Sequence, residues 1–90
     1  MAHVKFTNHL KRFFPALSEV SVDGATVADI VSALESLHPG LSAYIVDERG
    51  ALRKHVNIFI GETLVRDRQS LSDSVATGDE VFILQALSGG

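Results

Sequence analysis

The chain has 90 residues, 46% of them hydrophobic and 21% charged, and a formal net charge of −3 at pH 7. This size and composition are typical of one folded domain, and the negative charge argues against nucleic acid as the main partner, because phosphate binding needs a basic surface. The sequence contains no cysteine, which excludes disulfides, thiolate nucleophiles and cysteine-ligated zinc.

Two short strands are predicted near the N-terminus. Val4 and Phe6 alternate with polar residues, and Val20 and Val22 repeat this pattern, as expected of half-buried strands. Residues 11–15 are predicted to lie in the connection between them.

An amphipathic helix is predicted after a turn at residues 23–24. Five apolar residues share one helical face: Val27, Ile30, Val31, Leu34 and Leu37. Thr26 occupies the N-cap position and Asp29 follows three residues later, where a hydroxyl and a carboxylate can bind the free N–H groups of the first turn. The helix is predicted to end at residues 39–40. Burying the five side chains contributes on the order of 10 kcal/mol before entropy is subtracted, so this helix is expected to lie across a sheet.

The second half of the chain is predicted to be rich in strands. In residues 41–52, Tyr44, Ile45 and Val46 are expected in the core, next to a polar turn at residues 47–50. The following segment, VNIFIG, reads as a strand with alternate apolar residues on one face. These are Val56, Ile58 and Ile60.

A hairpin is predicted after this strand, with its turn at residues 61–62 and a short return strand at residues 63–65. Leu71 and Val75 are expected to fill the core from a short helical turn. A turn at residues 77–79 then leads into the last strand.

The last strand is predicted over residues 80–86, with Val81 and Ile83 on one face and Phe82 and Leu84 on the other. The resulting order of elements is that of the β-grasp fold. We therefore predict an α+β chain in which one main helix packs across a mixed sheet of four to five strands. A ferredoxin-like sandwich is the alternative, and it requires a second full-length amphipathic helix.

The sequence closes on QALSGG, which predicts a folded domain over residues 1–86 and a flexible tail over residues 87–90. Four residues can extend about 13 Å beyond the domain, enough for Leu87, Ser88 and Gly89 to enter a partner's channel. Glycine fits a channel too narrow for other residues. The carboxylate of Gly90 would be ionised at neutral pH and able to attack the α-phosphate of ATP. A frayed end without a role is the alternative.

The element order, together with VNIFIG, TGDEVFIL and the terminal SGG, resembles the MoaD/ThiS family of ubiquitin-like sulfur carrier proteins. The segment DERGALRKHVNIFIGETLVR is more similar to the longer carriers, including those of cysteine biosynthesis, than to the short thiamine-pathway carriers. The resemblance implies that an E1-like enzyme adenylates Gly90 and that sulfur then replaces one oxygen. The thiocarboxylate would donate sulfide to an acceptor enzyme in cysteine, molybdopterin or thiamine biosynthesis.

A docking surface is expected on the sheet face that the helix leaves open. Alternation places Phe59, Phe82 and Leu84 on that face, and an exposed apolar patch on a small domain usually marks a binding surface. The family resemblance implies that partner enzymes use this face. The alternative is that residues 41–52 fold over it.

The remaining polar residues give no sign of a catalytic site. The histidines at positions 3, 9, 38 and 55 do not have the spacing of metal ligands. The carboxylates are predicted to lie at separate turns, so they give no support for a catalytic pair. The sequence also lacks a glycine-rich phosphate loop. We therefore expect a protein that is not itself an enzyme, that binds no metal or cofactor and that is acted on by a partner that uses ATP. The short basic groups at residues 11–12 and 53–55 are predicted to be solvated surfaces, with docking to an acidic enzyme as the alternative. Arg66 and Arg68 flank Asp67 and are predicted to form a local surface network with it.

The N-terminal residues lack the apolar core of an export signal, and no stretch approaches the roughly 20 apolar residues that span a bilayer. We therefore expect a cytoplasmic protein without a membrane partner. Three functions remain open. They are a sulfur carrier, a ubiquitin-like modifier that is joined to lysines of its targets, and a non-catalytic interaction domain.

Overall fold

The structure is a computed structural model that describes residues 1–14 and 17–85. Its elements follow the chain in an order close to the predicted one. They are β1 (Ala2–Phe6), α1 (Asn8–Phe13), β2 (Val20–Val22), α2 (Val27–Leu37), α3 (Ser42–Ile45), β3 (Val56–Ile60), β4 (Thr63–Leu64) and β5 (Glu80–Gln85).

The strands form one mixed sheet with the order β2-β1-β5-β3-β4. The C-terminal strand β5 occupies the centre, parallel to β1 and antiparallel to β3. The outer strands β2 and β4 pair antiparallel with β1 and β3. This mixed sheet of five strands with the main helix packed on one face confirms the predicted α+β architecture.

The core lies between α2 and one face of the sheet. The apolar residues predicted to face inward from β3 and β5 are buried, except that Ile60 is only half-buried. The fully buried residues of the helix and strands are Val4, Val27, Ile30, Leu34, Val56, Ile58, Val81 and Ile83.

The N-terminus of α2 is capped by Thr26 as predicted, whereas the Asp29 carboxylate binds an N–H group that precedes the cap. The Thr26 hydroxyl accepts a hydrogen bond from the Asp29 N–H at 3.2 Å, and the Asp29 carboxylate accepts one from the Ala25 N–H at 3.1 Å. Two further N–H groups of the first turn donate to backbone carbonyls of residues 71 and 73. The helix start is therefore bound both by its own side chains and by the loop that precedes β5.

The C-terminal turn of α2 differs from the prediction. Leu37, expected in the core, is 53% exposed, and the helix ends there with His38 as its C-cap. Ten residues at about 100° each place Leu37 about 80° from Val27 around the helix axis, which is at the margin of the buried face. The predicted five-residue face is wrong at this position.

The connection between β1 and β2 contains a helix that the sequence prediction missed. Its six residues, α1, begin after Thr7 and bury Leu10. A helix this short shows less than two turns of apolar periodicity, so the pattern could not reveal it. Lys11 and Arg12 lie in its last turn, where cations stabilise the negative end of the helix dipole.

Residues 41–52 contain α3 and a polar turn. Ile45 is fully buried, Val46 is half-buried, and Tyr44 is 36% exposed with its ring edge-on to Phe14. Successive helical side chains point about 100° apart, so the expectation that residues 44 and 45 both enter the core is wrong. The predicted turn is confirmed, because the Asp47 carboxylate accepts the N–H groups of residues 49 and 51.

Leu71 and Val75 are buried as predicted, at 2% and 6% exposure. They lie in a loop rather than a helix, although the Leu71 N–H donates to the Asp67 carbonyl at 3.0 Å and closes a single turn. Leu71 has a φ of 54°, so the backbone reverses there and cannot continue a helix.

Neither described range, 1–14 or 17–85, contains a helix long and apolar enough to cross a membrane. The last strand is described to Gln85. The predicted domain boundary between residues 86 and 87 lies outside the described residues and stays a prediction.

Candidate functional site

The sheet face opposite α2 carries the predicted docking residues. Phe59 and Phe82 are direct cross-strand partners in the antiparallel pair of β3 and β5, and Leu84 stands opposite Asn57 in the same pair. The structure therefore brings together the three side chains that the alternation placed on one face.

The register extends this group into a row across four strands. Lys5 of β1 is paired with Phe82, and Leu64 of β4 is paired with Phe59. Directly paired residues lie on the same face of a sheet. The row Lys5, Phe82, Phe59 and Leu64, together with Leu84, is called the outer patch below.

Side chains within the outer patch shield one another. The Lys5 Nζ lies 5.3 Å from the centroid of the Phe82 ring and 3.4 Å from the Glu80 Oε2. Phe59, Phe82 and Leu84 are half-buried, whereas Leu64 is 45% exposed. The aromatic rings are therefore accessible at their outer surfaces and supported at their edges by neighbours, including a cation over one ring.

The segment of residues 41–52 does not cover the outer patch. Its helix α3 packs against α2, and Leu41, Ile45 and Leu52 are buried in the common core. This places the segment on the helix side of the sheet, so the alternative raised by the sequence receives no support.

Leu64 and Lys5 were not among the predicted patch residues. Leu64 could have been found, because a two-residue turn at residues 61–62 fixes the pairing of Phe59 with Leu64. Lys5 could not, because its place beside Phe82 depends on the parallel pairing of β1 with β5, which join opposite ends of the chain.

The C-terminal end of β5 is bound to Thr7, the residue that follows β1. The Gln85 N–H donates to the Thr7 hydroxyl at 3.4 Å, and the Thr7 N–H donates to the Ile83 carbonyl at 3.2 Å. The chain thus leaves the sheet from its central strand. The predicted tail residues Leu87, Ser88, Gly89 and Gly90 lie outside the described residues.

A cleft of about 370 Å³ opens where the described part of β5 ends. Its lining residues are Ala43, Tyr44, Arg53, His55 and Gln85. The Arg53 Nε donates to the Ala43 carbonyl at 2.8 Å, which ties the segment before β3 to α3. This cleft is called the root cleft below.

Arg68 fixes the same region from the other side. Its Nη2 donates to the carbonyls of Arg53 and Val56 at 2.8 and 3.0 Å, and its Nη1 donates to the Asn57 Oδ1 at 2.8 Å. The sequence suggested a local network of Arg68 with Asp67. The structure instead uses Arg68 to hold the start of β3, which sequence proximity could not show.

Asp67 organises the loop after β4. Its carboxylate accepts hydrogen bonds from the Ser72 hydroxyl and from the N–H groups of Gln69, Ser70 and Ser72. These bonds favour the ionised form and lower the pKa of Asp67 from 3.8 to about 2, the Ser72 side chain having the largest effect. All of these donors belong to its own loop, so the carboxylate is structural.

No group of three His, Cys, Asp or Glu residues within ranges 1–14 and 17–85 is placed to hold a metal ion. The His3 Nε2 lies 3.0 Å from the Glu19 Oε1, and its Nδ1 lies 3.4 Å from the Ser21 hydroxyl oxygen. His3 therefore bridges β1 to the start of β2.

Comparison with known proteins identifies similar chains over nearly the whole length. A profile of the ThiS family matches residues 4–90. The sulfur carrier protein CysO of Mycobacterium tuberculosis is 37% identical over 73 residues, which cover 79% of this chain and 78% of that protein. The small archaeal modifier protein 1 of Haloferax volcanii is 35% identical over 72 residues, with the same coverage of 79% and 78%.

A solved structure shows the same fold. The chain matched in the crystal structure of the Amycolatopsis orientalis BexX/CysO complex has a TM-score of 0.86 and 31% identity, and the match covers 100% of both chains. Both helix placement and sheet order of this protein thus follow a known ubiquitin-like arrangement.

Proposed function

Because this chain belongs to the ThiS family, we propose that it is a sulfur carrier protein whose reactive group is the C-terminal carboxylate of Gly90. The resemblance noted in the sequence is confirmed by the family match and by the likeness to CysO. That likeness, to a protein named as a sulfur carrier, is the observation that carries the proposal. The chain is a carrier acted on by enzymes, not a catalyst.

The chemistry would take place in two steps on an E1-like partner. A carboxylate oxygen of Gly90 attacks the α-phosphorus of ATP, pyrophosphate leaves, and an acyl adenylate forms. A sulfide equivalent then attacks the acyl carbon and AMP leaves, so that the product is a thiocarboxylate. ATP would be bound by the partner, which is why the carrier needs no nucleotide site of its own.

Each part of the chain has a role in this proposal. Leu87, Ser88 and Gly89 would occupy the partner's channel, where the absence of Cβ atoms at the last positions allows close approach. The outer patch, with Phe59, Phe82 and Leu84, would dock on the activating enzyme and then on the sulfur-acceptor enzyme. A half-buried aromatic group on a rigid sheet suits this task, because little side-chain entropy is lost on binding. The crystallised complex that contains a CysO chain supports docking of such carriers on a protein partner.

Intact mass measurement tests the proposal. The protein is incubated with ATP, a sulfur source and extract of its source organism, beside a sample without ATP. We expect an ATP-dependent mass gain equal to the replacement of one oxygen by sulfur, localised to Gly90 by fragmentation. An unchanged mass, in an extract whose E1-like enzyme is shown to be active, would favour the non-catalytic interaction domain.

A ubiquitin-like modifier is the second candidate, because a relative named as a small archaeal modifier protein is nearly as similar as CysO. Its activation would use the same adenylate, but the acyl group would pass to a lysine of a target. High-mass adducts that disappear when Gly90 is removed would favour this function, whereas a thiocarboxylate without adducts favours the carrier.

A further inference from the structure

Charged residues are distributed unevenly along the strand direction of the sheet. The C-terminal ends of β1 and β5 lie beside the N-terminal end of β3, because β1 is parallel and β3 antiparallel to β5. This edge of the sheet is called the tail end, since residue 86 follows Gln85 there. The opposite end carries the starts of β1 and β5 and the turn between β3 and β4.

Several cations lie at the tail end, although the whole chain has a formal charge of −3. Residues that follow β1 or precede β3 supply its positive charges, which are Lys11, Arg12, Arg53 and Lys54. The opposite end carries carboxylates after β2, in the β3–β4 turn and before β5, which are Asp23, Glu62 and Asp79. Asp47 and Glu48 also lie in the loop before β3, so fold topology separates the charges only in part.

Two basic side chains before β3 are available for an external partner. Lys54 and His55 are exposed, and within the described ranges neither forms a hydrogen bond or an ion pair. Asp47 lines an adjoining cleft with them, and its carboxylate accepts the N–H groups of Arg49 and Ala51, which lower its pKa. Asp47 is therefore ionised at neutral pH and offsets part of the positive charge of this group.

The root cleft joins this basic group to the C-terminal end of β5. Arg53 and His55 line it together with Gln85, the last described residue. The Gln85 Oε1 is buried and accepts no hydrogen bond from residues 1–14 or 17–85.

The length of the tail decides what the basic group would meet. Residues 86–90 span at most about 18 Å when extended. With the tail extended in a narrow channel and Gly90 at the nucleotide, the root cleft would lie about that far from the phosphates. Arg53 and Lys54 would then face the protein surface around the channel entrance, and not ATP.

We propose that Arg53, Lys54 and His55 form an electrostatic docking surface for acidic side chains at the entrance of the activating enzyme's tail channel. The proposal rests on the proposed function and names the chemistry of the partner surface. Opposite charges at the rim of an interface mainly raise the association rate. The carboxylates at the far end would repel the same acidic surface and thereby orient the carrier with its tail forward.

Steady-state adenylation by the purified E1-like enzyme tests this, with pyrophosphate release followed at varied carrier concentration. The test variant is Lys54→Glu in the full chain. The control carries Ala76→Glu and Thr77→Glu, which make the same change in formal charge at exposed positions of the opposite end. Circular dichroism shows whether both variants are folded.

For Lys54→Glu we expect KM to rise ~5- to 10-fold in 0.1 M salt with little change in kcat, and the control to stay within about 2-fold. In 1 M salt the difference should largely disappear, because the Debye length falls from about 10 to about 3 Å. Equal effects of test and control, or an effect independent of salt, would overturn the proposal. A lower KM would also overturn it, since it would indicate that the basic group holds the protein's own terminal carboxylate.

The wild-type protein separates this inference from the function on which it rests. If wild type is adenylated normally and the KM of Lys54→Glu is unchanged, the proposed docking surface is contradicted and the proposed carrier function is not. If an enzyme that activates another carrier does not adenylate wild type, both the docking surface and the carrier function are contradicted.

Discussion

At the residue scale, Asp67 shows how one half-buried carboxylate organises a loop. It accepts hydrogen bonds from three N–H groups and one hydroxyl, while Asp73 accepts the N–H groups of Arg66 and Asp67. This loop supplies the buried Leu71 and the carbonyls that bind the first turn of α2. The ionised state of Asp67 is therefore coupled to the position of the main helix.

The Asp67→Asn variant should be less stable than wild type at pH 7. The folded-state pKa of Asp67 is lowered from 3.8 to about 2, so its ionisation stabilises the fold above pH 3.8, and this contribution is lost as the pH falls towards 2. We expect the difference in Tm between wild type and variant to be constant above about pH 5 and to shrink between about pH 4 and pH 2. Thermal unfolding followed by circular dichroism measures it.

Asp23→Asn is the matched control, because Asp23 is exposed and accepts no hydrogen bond within the described part of the chain. Its Tm difference from wild type at pH 7 should be smaller than that of Asp67→Asn. If Asp67→Asn is as stable as wild type at pH 7, the loop does not depend on this carboxylate.

At the scale of single elements, α2 depends on its N-terminal cap. Thr26→Ala removes the hydroxyl that accepts the Asp29 N–H, and loss of such a cap typically costs ~1 kcal/mol. We expect the free energy of unfolding in urea to fall by about this amount, with an unchanged m-value. Thr26→Ser keeps the hydroxyl and should retain most of the stability, so equal loss in both variants would contradict the role of the cap.

The role of the outer patch in docking can be tested by substitution of its two aromatic residues. Phe59→Ala and Phe82→Ala should each raise the KM for adenylation ~10-fold, the magnitude expected when an aromatic anchor is removed from an interface. Leu37→Ala is the control, because Leu37 is a large apolar residue that is 53% exposed on α2, away from the sheet face.

Adenylation and unfolding should be measured on the same samples, since part of each ring is buried. A rise in KM for Leu37→Ala equal to that of the two patch variants would show that loss of apolar surface in general, rather than this face, reduces activation.

At the scale of the whole molecule, the fold joins a rigid domain to the proposed reactive terminus. The strand that leads to the tail is the central one, paired on both sides, and such a strand opens only when the sheet unfolds. The docking face and the root cleft are therefore held at fixed positions relative to residue 85. Recognition of the domain can thus determine where the following residues are delivered.

Addition of one residue after Gly90 should abolish thiocarboxylate formation and leave the Tm unchanged. The reason is that the terminal carboxylate would be moved away from the α-phosphate and replaced by an amide, while no described contact is altered. The same residue added before Met1 is the control and should have no effect. Activity of the C-terminally extended protein, with the extension shown by mass to be intact, would contradict both the carrier and the modifier.

Elements whose periodicity is long enough to define a face were predictable from the residues alone. Alternation in β3 and β5 and the helical spacing in α2 correctly assigned Ile58, Ile83 and Leu34 to the core, because the burial of one face requires that pattern. The cap at Thr26 and the hairpin turn at residues 61–62 were also predictable, since both depend on residues a few positions apart. The glycine pair at residues 89–90 was the sequence feature that suggested the proposed carrier function.

The tertiary fold determines how these elements contact one another. The position of β5 between β1 and β3 places Phe82 between Lys5 and Phe59, and it gathers the cations of two separate connections at the tail end. Packing also determined which side chains of α3 and of the last turn of α2 stay exposed. Local patterns could not supply this, because strand pairing joins segments distant in sequence, and alternation specifies which face is buried but not which partner covers it.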